Sequence, residues 1–294
     1  MPRKRKLIIY KTERRYDDMI PLDEVDRSVL LNGNAKHFLN ATEYDEFRAL
    51  SETEKDQELS DLLTHPIHKF TSVNELYFRS KWADLIHKIH GENPVILLEV
   101  ASGDADMIPQ ALSRSNAGST YIAANMNKEL NKSLRRKTKG LNLKFQLVDD
   151  DAAQIKRYIK EKTIDIIAFQ HGVNDILQAI LCGQKGIDTV DSEWMEILPA
   201  MIRILQEETS ANTFEDKVKT PFLSLINNLL LTLKDDGIIA ISHYMFQLDL
   251  DWGYPEDLFE NIVPMIRSWF ESNTDLKETN FPGFEPQWWI FLKK

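Results

Sequence analysis

The sequence is short of cysteine, of long apolar runs and of positive charge. Its only cysteine, Cys182, rules out an internal disulfide framework and any site built from several thiolates, which fits a reducing, cytoplasmic setting. Cys182 itself reads as a small buried hydrophobe in a helix. No stretch approaches the roughly 20 apolar residues that span a bilayer. The start, MPRKRKLIIYK, is basic but holds only three apolar residues in a row, too few for a signal-peptide core, and reads as a solvated tail. Lys and Arg number 36 against 46 Asp and Glu, and the net charge of −10 disfavours a broad nucleic-acid-binding face. Small-molecule or protein partners are favoured, no membrane partner is expected, and the oligomeric state stays open, a homodimer included. What is present is 294 residues, 43% of them hydrophobic, enough to bury a sizeable core as one elaborated domain or two small ones.

The chain changes character near residue 92. Residues 12–91 are polar and charge-rich, with apolar residues at helical spacing, and 1–91 read as a helical N-terminal cap. The clearest helix in it is SVNELYFRSKWADLIHKIHG, with Ser72 as its cap, Leu76, Phe78, Trp82 and Leu85 as its apolar positions and Gly91 as its end. Across 92–294, short apolar runs alternate with amphipathic segments, as a parallel sheet with crossover helices requires. The runs at 95–101, 119–125, 143–149, 164–171 and 237–243 are nearly continuous in apolar character, as strands covered on both faces should be. Helices are expected at 106–116, 127–139, 151–161, 174–183, 220–234 and from Pro255 to about Ser272. Two further strand-like runs in LKETNFPGFEPQWWIFLKK lie too close together to pair except as an antiparallel hairpin. The fold class is therefore α/β, a doubly wound, mostly parallel seven-stranded sheet with a C-terminal antiparallel hairpin, plus the helical cap. An insertion at about 185–219, with one helical piece, is long for a crossover, and such insertions often cover a pocket.

The stretch EVASGDAD, Glu99 to Asp106, joins the first strand to a helix. In doubly wound sheets ligands sit at such carboxyl ends, and a residue without a side chain lets backbone approach them. Gly103 fits that need, with Ala101 and Ala105 the next smallest choices. A dinucleotide fingerprint would place its third small residue at Asp106, where an aspartate opposes a pyrophosphate. NAD is a poor fit; a cationic ligand without phosphates is compatible.

These residues resemble the first motif of class I S-adenosylmethionine-dependent methyltransferases, an acidic residue followed by small residues at alternating positions. Here alanine replaces two of the glycines. The resemblance covers about residues 72–294 and includes LKDDGIIAIS before the fifth strand, similar to the family's L-K-P-G-G stretch. It implies S-adenosyl-L-methionine as cofactor, with Glu99 toward its ammonium end and Ala101 and Gly103 beside its amino-acid moiety. Asn125, where the family has an acidic residue, would hold the ribose without the charge that strengthens such a bond. Met126 would lie against the adenine, Asp151 with Ala152, or else Asp150, near its amino group, and Gln170 beside the cofactor at the end of the fourth strand.

Methyl transfer needs an aligned nucleophile and, for some acceptors, a base. By the same resemblance His171 is the first candidate base, since its strand end adjoins the transferred methyl and its ordinary pKa is near neutrality. The plainer reading is a satisfied polar residue at a strand terminus. His243 is the second candidate, with Tyr244 beside it on the substrate side. Asp175 either orients a base, binds a substrate amine or decorates its helix. Phe281 and Phe284 flank a Pro-Gly turn and are candidates for lining the acceptor pocket, although most aromatic residues of this region should be core. A magnesium-dependent variant is not expected, because the fifth strand ends SHYMF without an Asp-Asn pair, and no metal is assigned. The expected activity is methyl transfer to an O or N atom of a small molecule. The alternative is a non-catalytic regulatory protein that binds S-adenosylmethionine or a nucleotide on the same fold.

Overall fold

The structure, a computed structural model, describes residues 41–54, 71–116, 118–244, 247–271 and 275–294. The basic start and most of the first seventy residues lie outside them. Helix α1 (Ala41–Ala49) and helix α2 (Thr71–His90) precede the sheet. Then follow β1 (Ile96–Val100), α3 (Met107–Ser115), β2 (Thr120–Ala124), α4 (Lys128–Lys137), β3 (Lys144–Val148), a 3-10 turn (Ala152–Arg157), β4 (Ile164–Gln170) and α5 (Gly172–Gln184). The chain finishes with α6 (Trp194–Ser210), α7 (Phe214–Leu230), β5 (Leu233–Ser242), α8 (Gln247–Trp252), α9 (Glu256–Phe270), β6 (Lys277–Thr279) and β7 (Trp289–Lys293).

The sheet has seven strands in the order β3-β2-β1-β4-β5-β7-β6. The first five are parallel, and β7 runs antiparallel to both β5 and β6. This is the fold class expected from the sequence. Every residue of β4 is buried, as a strand with helices on both faces requires. One face carries α5, α6, α7 and α9 over a core that includes Phe169, Val173, Leu205, Phe222 and Ile266. The other carries α2, α3 and α4 over Trp82, Leu85, Ile108, Leu112 and Leu134. Cys182 is buried in the first of these cores. Helix α2 ends where Gly91 turns left-handed (φ 61°) and donates to the His87 carbonyl at 2.7 Å.

Three expectations need correction. The helix expected at 151–161 is only a 3-10 turn, capped by the Asp151 carboxylate, which accepts from Ala153 N–H at 2.8 Å, and closed by Tyr158 N–H on the Ile155 carbonyl at 2.9 Å. The helix expected at 220–234 begins earlier, at Phe214, where Glu215 and Asp216 suit the positive end of the helix dipole, so Pro221 lies inside it. The insertion thus holds α6 and the start of α7. Buried Glu208 holds their corner by accepting from Thr213 Oγ1 at 2.5 Å and from Lys217. The fifth strand begins at Leu233 rather than 237, with a register shift opposite Ile164 and Ile166.

The turn after β1 and the turn after β4 touch. A Cβ on Gly172 would meet the Val100 carbonyl oxygen at 2.9 Å and the Ala101 Cβ at 3.1 Å. Gly172→Ala is therefore expected to lose about 1–3 kcal/mol of unfolding free energy in chemical denaturation, the usual range for overpacking. An unchanged midpoint and slope would show that the two turns have room to separate.

Candidate functional site

β1 and β4 are neighbours, but α3 leaves β1 toward one face and α5 leaves β4 toward the other. Such a reversal opens a crevice at the strands' carboxyl ends. A cavity of about 1080 Å3 lies there. Its walls come from the turn after β1, the segment from Ala124 to Leu130, the segment from Asp150 to Ala153, the first turns of α5, and residues 189–194 of the insertion. Ala101, Gly103, Asn125, Met126, Asp150, Asp151, Ala152 and Asp175 all face it. Eight residues singled out in the sequence are thus brought together by three strand ends and one helix.

Local chemistry explains how each is held. Ala101 and Gly103 both adopt the left-handed region (φ 56° and 57°), which costs a non-glycine residue about 1–2 kcal/mol. The Asn125 amide donates to the Gly103 carbonyl at 3.1 Å, stitching the end of β2 to the turn after β1. An aspartate there would have no such donor. Asn127 caps α4 by accepting from Glu129 and Leu130 N–H, both at 3.0 Å, and its amide donates to the Val190 carbonyl at 3.2 Å. Residues 189–193 are strapped across the cavity by that bond, as a pocket-covering insertion should be. Asp150 accepts from Tyr158 Oη at 2.6 Å, and Met126 and Leu130 remain exposed at the edge.

The walls are strongly acidic. Glu129, Asp150, Asp151, Asp175, Asp191 and Glu193 face the cavity against one lysine, Lys128. Asp175 is open to the cavity yet deep in the protein, and burial together with the charge of Asp249 pushes its carboxyl up to about 7. Close by, Tyr254 Oη donates to Gln178 Oε1 at 2.9 Å. Burial and the charges of Asp175 and Asp249 hold the Tyr254 phenol well above its usual value. Among the described residues no group of three or more His, Cys, Asp or Glu side chains is placed to hold a metal ion.

The remaining candidates lie elsewhere. Glu99 is buried beneath the turn, on the face of α3 and α4, and accepts from Tyr121 Oη at 2.7 Å. Burial drives its carboxyl up to about 8 against the opposing effect of that bond. Gln170 accepts from Trp82 Nε1 and from Ser242 Oγ (3.0 Å) and donates to Tyr244 Oη (3.0 Å), tying α2 to β4 and β5. His171 is left-handed (φ 57°), and its ring stacks between His243 (5.2 Å) and Tyr244 (4.8 Å), which in turn stacks on Phe78 (4.0 Å). Burial pushes His171 down to about 4, and it lowers His243 further below its usual value with help from His171. Phe281 and Phe284 pack edge-on against Phe291, and Phe284 also against Trp289. None of these seven residues lines the cavity. The sequence reading missed Asn127, whose signal was an Asn two residues before Glu129, and the Asp249–Tyr254 pair, which has no local signal.

No family model matches the chain, and no curated protein does. Among solved structures, the chain is similar to a SAM dependent methyltransferase from Aquifex aeolicus, at 11% identity and a TM-score of 0.43 over 72% of this chain and 87% of that one. It is also similar to the CurJ carbon methyltransferase (10%, 0.42, 81% and 58%). The YcgJ protein from Bacillus subtilis is similar too (14%, 0.38, 67% and 68%). These likenesses are distant, and the functional reading rests on the cavity rather than on them.

The Glu99–Tyr121 pair predicts a pH effect on stability. With the folded carboxyl at about 8 and its ordinary value at 4.5, the folded state keeps a proton that the unfolded chain releases across that window. The stability present below the lower value is lost as pH rises through the upper one. Asp175 adds a shift of the same sign in both proteins compared. Glu99→Gln keeps an acceptor for Tyr121, so melting temperatures measured between pH of about 5 and about 9 should fall less steeply for the variant than for the natural chain. Parallel profiles would show that Glu99 ionises freely in the folded state.

Proposed function

We propose that this chain binds S-adenosyl-L-methionine in the cavity and transfers its methyl group to an O or N atom of a small molecule. The observation that carries the reading is the cavity's place and charge: it opens at the carboxyl ends of β1 and β4, and six carboxylates face it against one lysine. That donor set opposes a pyrophosphate and suits a ligand with positive charge. When bound, the cofactor would supply an electrophilic sulfonium methyl carbon, with its thioether sulfur as the leaving group.

The chain's own residues supply the rest. Ala101 and Gly103 keep the turn after β1 small enough for close approach. Asn125, with its amide on the Gly103 carbonyl, leaves Oδ1 as an acceptor for a ribose hydroxyl. Met126 and Leu130 offer apolar edges, and Asp150, Asp151 and Ala152 close the far side. Residues 189–193, strapped through Asn127, shield the reacting centre from water. Asp175, on the cavity wall, has its carboxyl pushed up to about 7 by burial and by the charge of Asp249, which suits it to take up a proton. His171 and His243, the bases offered by position in the sequence, stack away from the wall, and burial lowers both below the ordinary imidazole value. Their role in this reading is to fix the ends of β4 and β5.

Isothermal titration tests the cofactor directly. S-adenosylhomocysteine should bind at one site, and NAD should not. Asn127→Ala, which frees the strap, should weaken S-adenosylhomocysteine binding and cost about 1 kcal/mol of stability through the lost cap. No heat of binding up to about 1 mM ligand, or tighter binding of NAD, would overturn the reading.

A further inference from the structure

We propose that the methyl acceptor has an uncharged apolar body, an alkyl chain or an aromatic ring, and that this body lies in a compartment of the cavity between α5 and α7. This rests on the S-adenosylmethionine reading above and names the substrate class.

Helix α5 is apolar on two faces. Val173, Leu177 and Leu181, four residues apart, are buried in the core. Ile176, Ala179 and Ile180 form a second stripe at i, i+3 and i+4 spacing; they are half-buried and line the cavity. Helix α7 does the same. Phe222, Ile226 and Leu229 are buried in the core, while Leu225 and the exposed Pro221, one turn apart, line the cavity. Half-buried Trp194, the first residue of α6, lines it where the strap of residues 189–193 ends. Helix α5 packs against both α6 and α7, so the three apolar surfaces adjoin. A surface helix needs one apolar stripe, turned to the core, and a second stripe is unfavourable while water lies against it.

The cofactor reading draws on the other end of the cavity, on residues that follow the ends of β1, β2 and β3. A pocket of about 300–1,000 Å3 holds one drug-sized ligand. With about 1080 Å3, this cavity has room for the cofactor and a second molecule side by side. The two ends meet at Asp175, which directly precedes Ile176. An acceptor lying along Ile176, Ala179 and Ile180 thus brings a polar end to the carboxylate that takes up the proton. A charged or polyhydroxylated body is disfavoured, because the indole N–H of Trp194 is the one polar side-chain group among the six residues named, and polar groups buried without partners are costly.

The test uses the full chain saturated with S-adenosylhomocysteine and reads isothermal titration. The probes are 2-naphthol and the 1-alkanols from butanol to octanol, with erythritol and myo-inositol as polar controls. Each added methylene should tighten binding about threefold to fourfold until the compartment is full, and the polyols should not bind. Ala179→Phe, which fills the compartment, should weaken octanol and naphthol at least about tenfold and leave S-adenosylhomocysteine affinity unchanged. Ile180→Thr, a milder change that does not depend on the larger side chain being accommodated, should weaken both probes severalfold. Affinity independent of chain length, probe binding that survives both variants, or displacement of octanol by S-adenosylhomocysteine would each overturn the proposal. So would an equal loss of S-adenosylhomocysteine affinity in Ala179→Phe, since the stripes would then belong to the cofactor. Absence of S-adenosylhomocysteine binding to the natural chain would overturn the cofactor reading instead, and the alkanol series is then read on the free chain.

Discussion

The site depends on the contact between two turns that have no room for one more carbon. Val100 and Ala101 at the end of β1 press on Gly172 at the start of α5, and only a residue without a Cβ fits this contact, where neighbouring parallel strands send their helices to opposite faces. Both turns pass through the left-handed region, at Ala101 and at His171. In the first turn this exposes small backbone to the cavity. In the second it swings the His171 ring away from the cavity and into a stack with Tyr244 and His243. One steric constraint thus divides the strand ends into an open, acidic cleft and a closed aromatic column.

The column in turn fixes helix α2. Trp82 and Phe78 reach the ends of β4 and β5 through Gln170 and Tyr244, so the described part of the N-terminal region shares a core with α3 and α4. On the other side of β1 the buried Glu99–Tyr121 pair supports the turn from beneath. Its acidity serves the fold locally, while the acidity that a ligand would meet comes from α4, the segment after β3, α5 and the insertion.

Much of this was legible in the sequence. Strands β1 to β4 fall within one residue of expectation, because doubly covered strands are continuously apolar and turn residues bound them. The start of α7 was hidden because Pro221 mimics a first-turn proline, whereas the start is marked by Glu215 and Asp216. Ala101, Gly103, Asn125, Met126 and Asp150 to Ala152 were legible as a group because they follow strand ends one after another, whereas Glu99 and Gln170, expected with them, do not line the cavity. The residues expected on the acceptor side were less legible. Position at a strand end favoured His171, but a single left-handed residue reverses where a side chain goes, and sequence does not announce it outside glycine. Phe281 and Phe284 flank a turn, yet the apolar face of β7 draws both into the core. Asp175 finds Asp249 and Tyr254 only through the packing of α5 against the chain after β5, a long-range meeting that no spacing encodes.

Hydrogen–deuterium exchange with and without S-adenosylmethionine tests the central claim most directly, since it reports where a ligand sits without requiring an acceptor. The account predicts slowed exchange in four separate segments, residues 101–105, 125–130, 150–153 and 189–193, with the 281–289 connection unchanged. Protection confined to 281–289 or to α2, or no protection at a saturating concentration of the ligand, would contradict it.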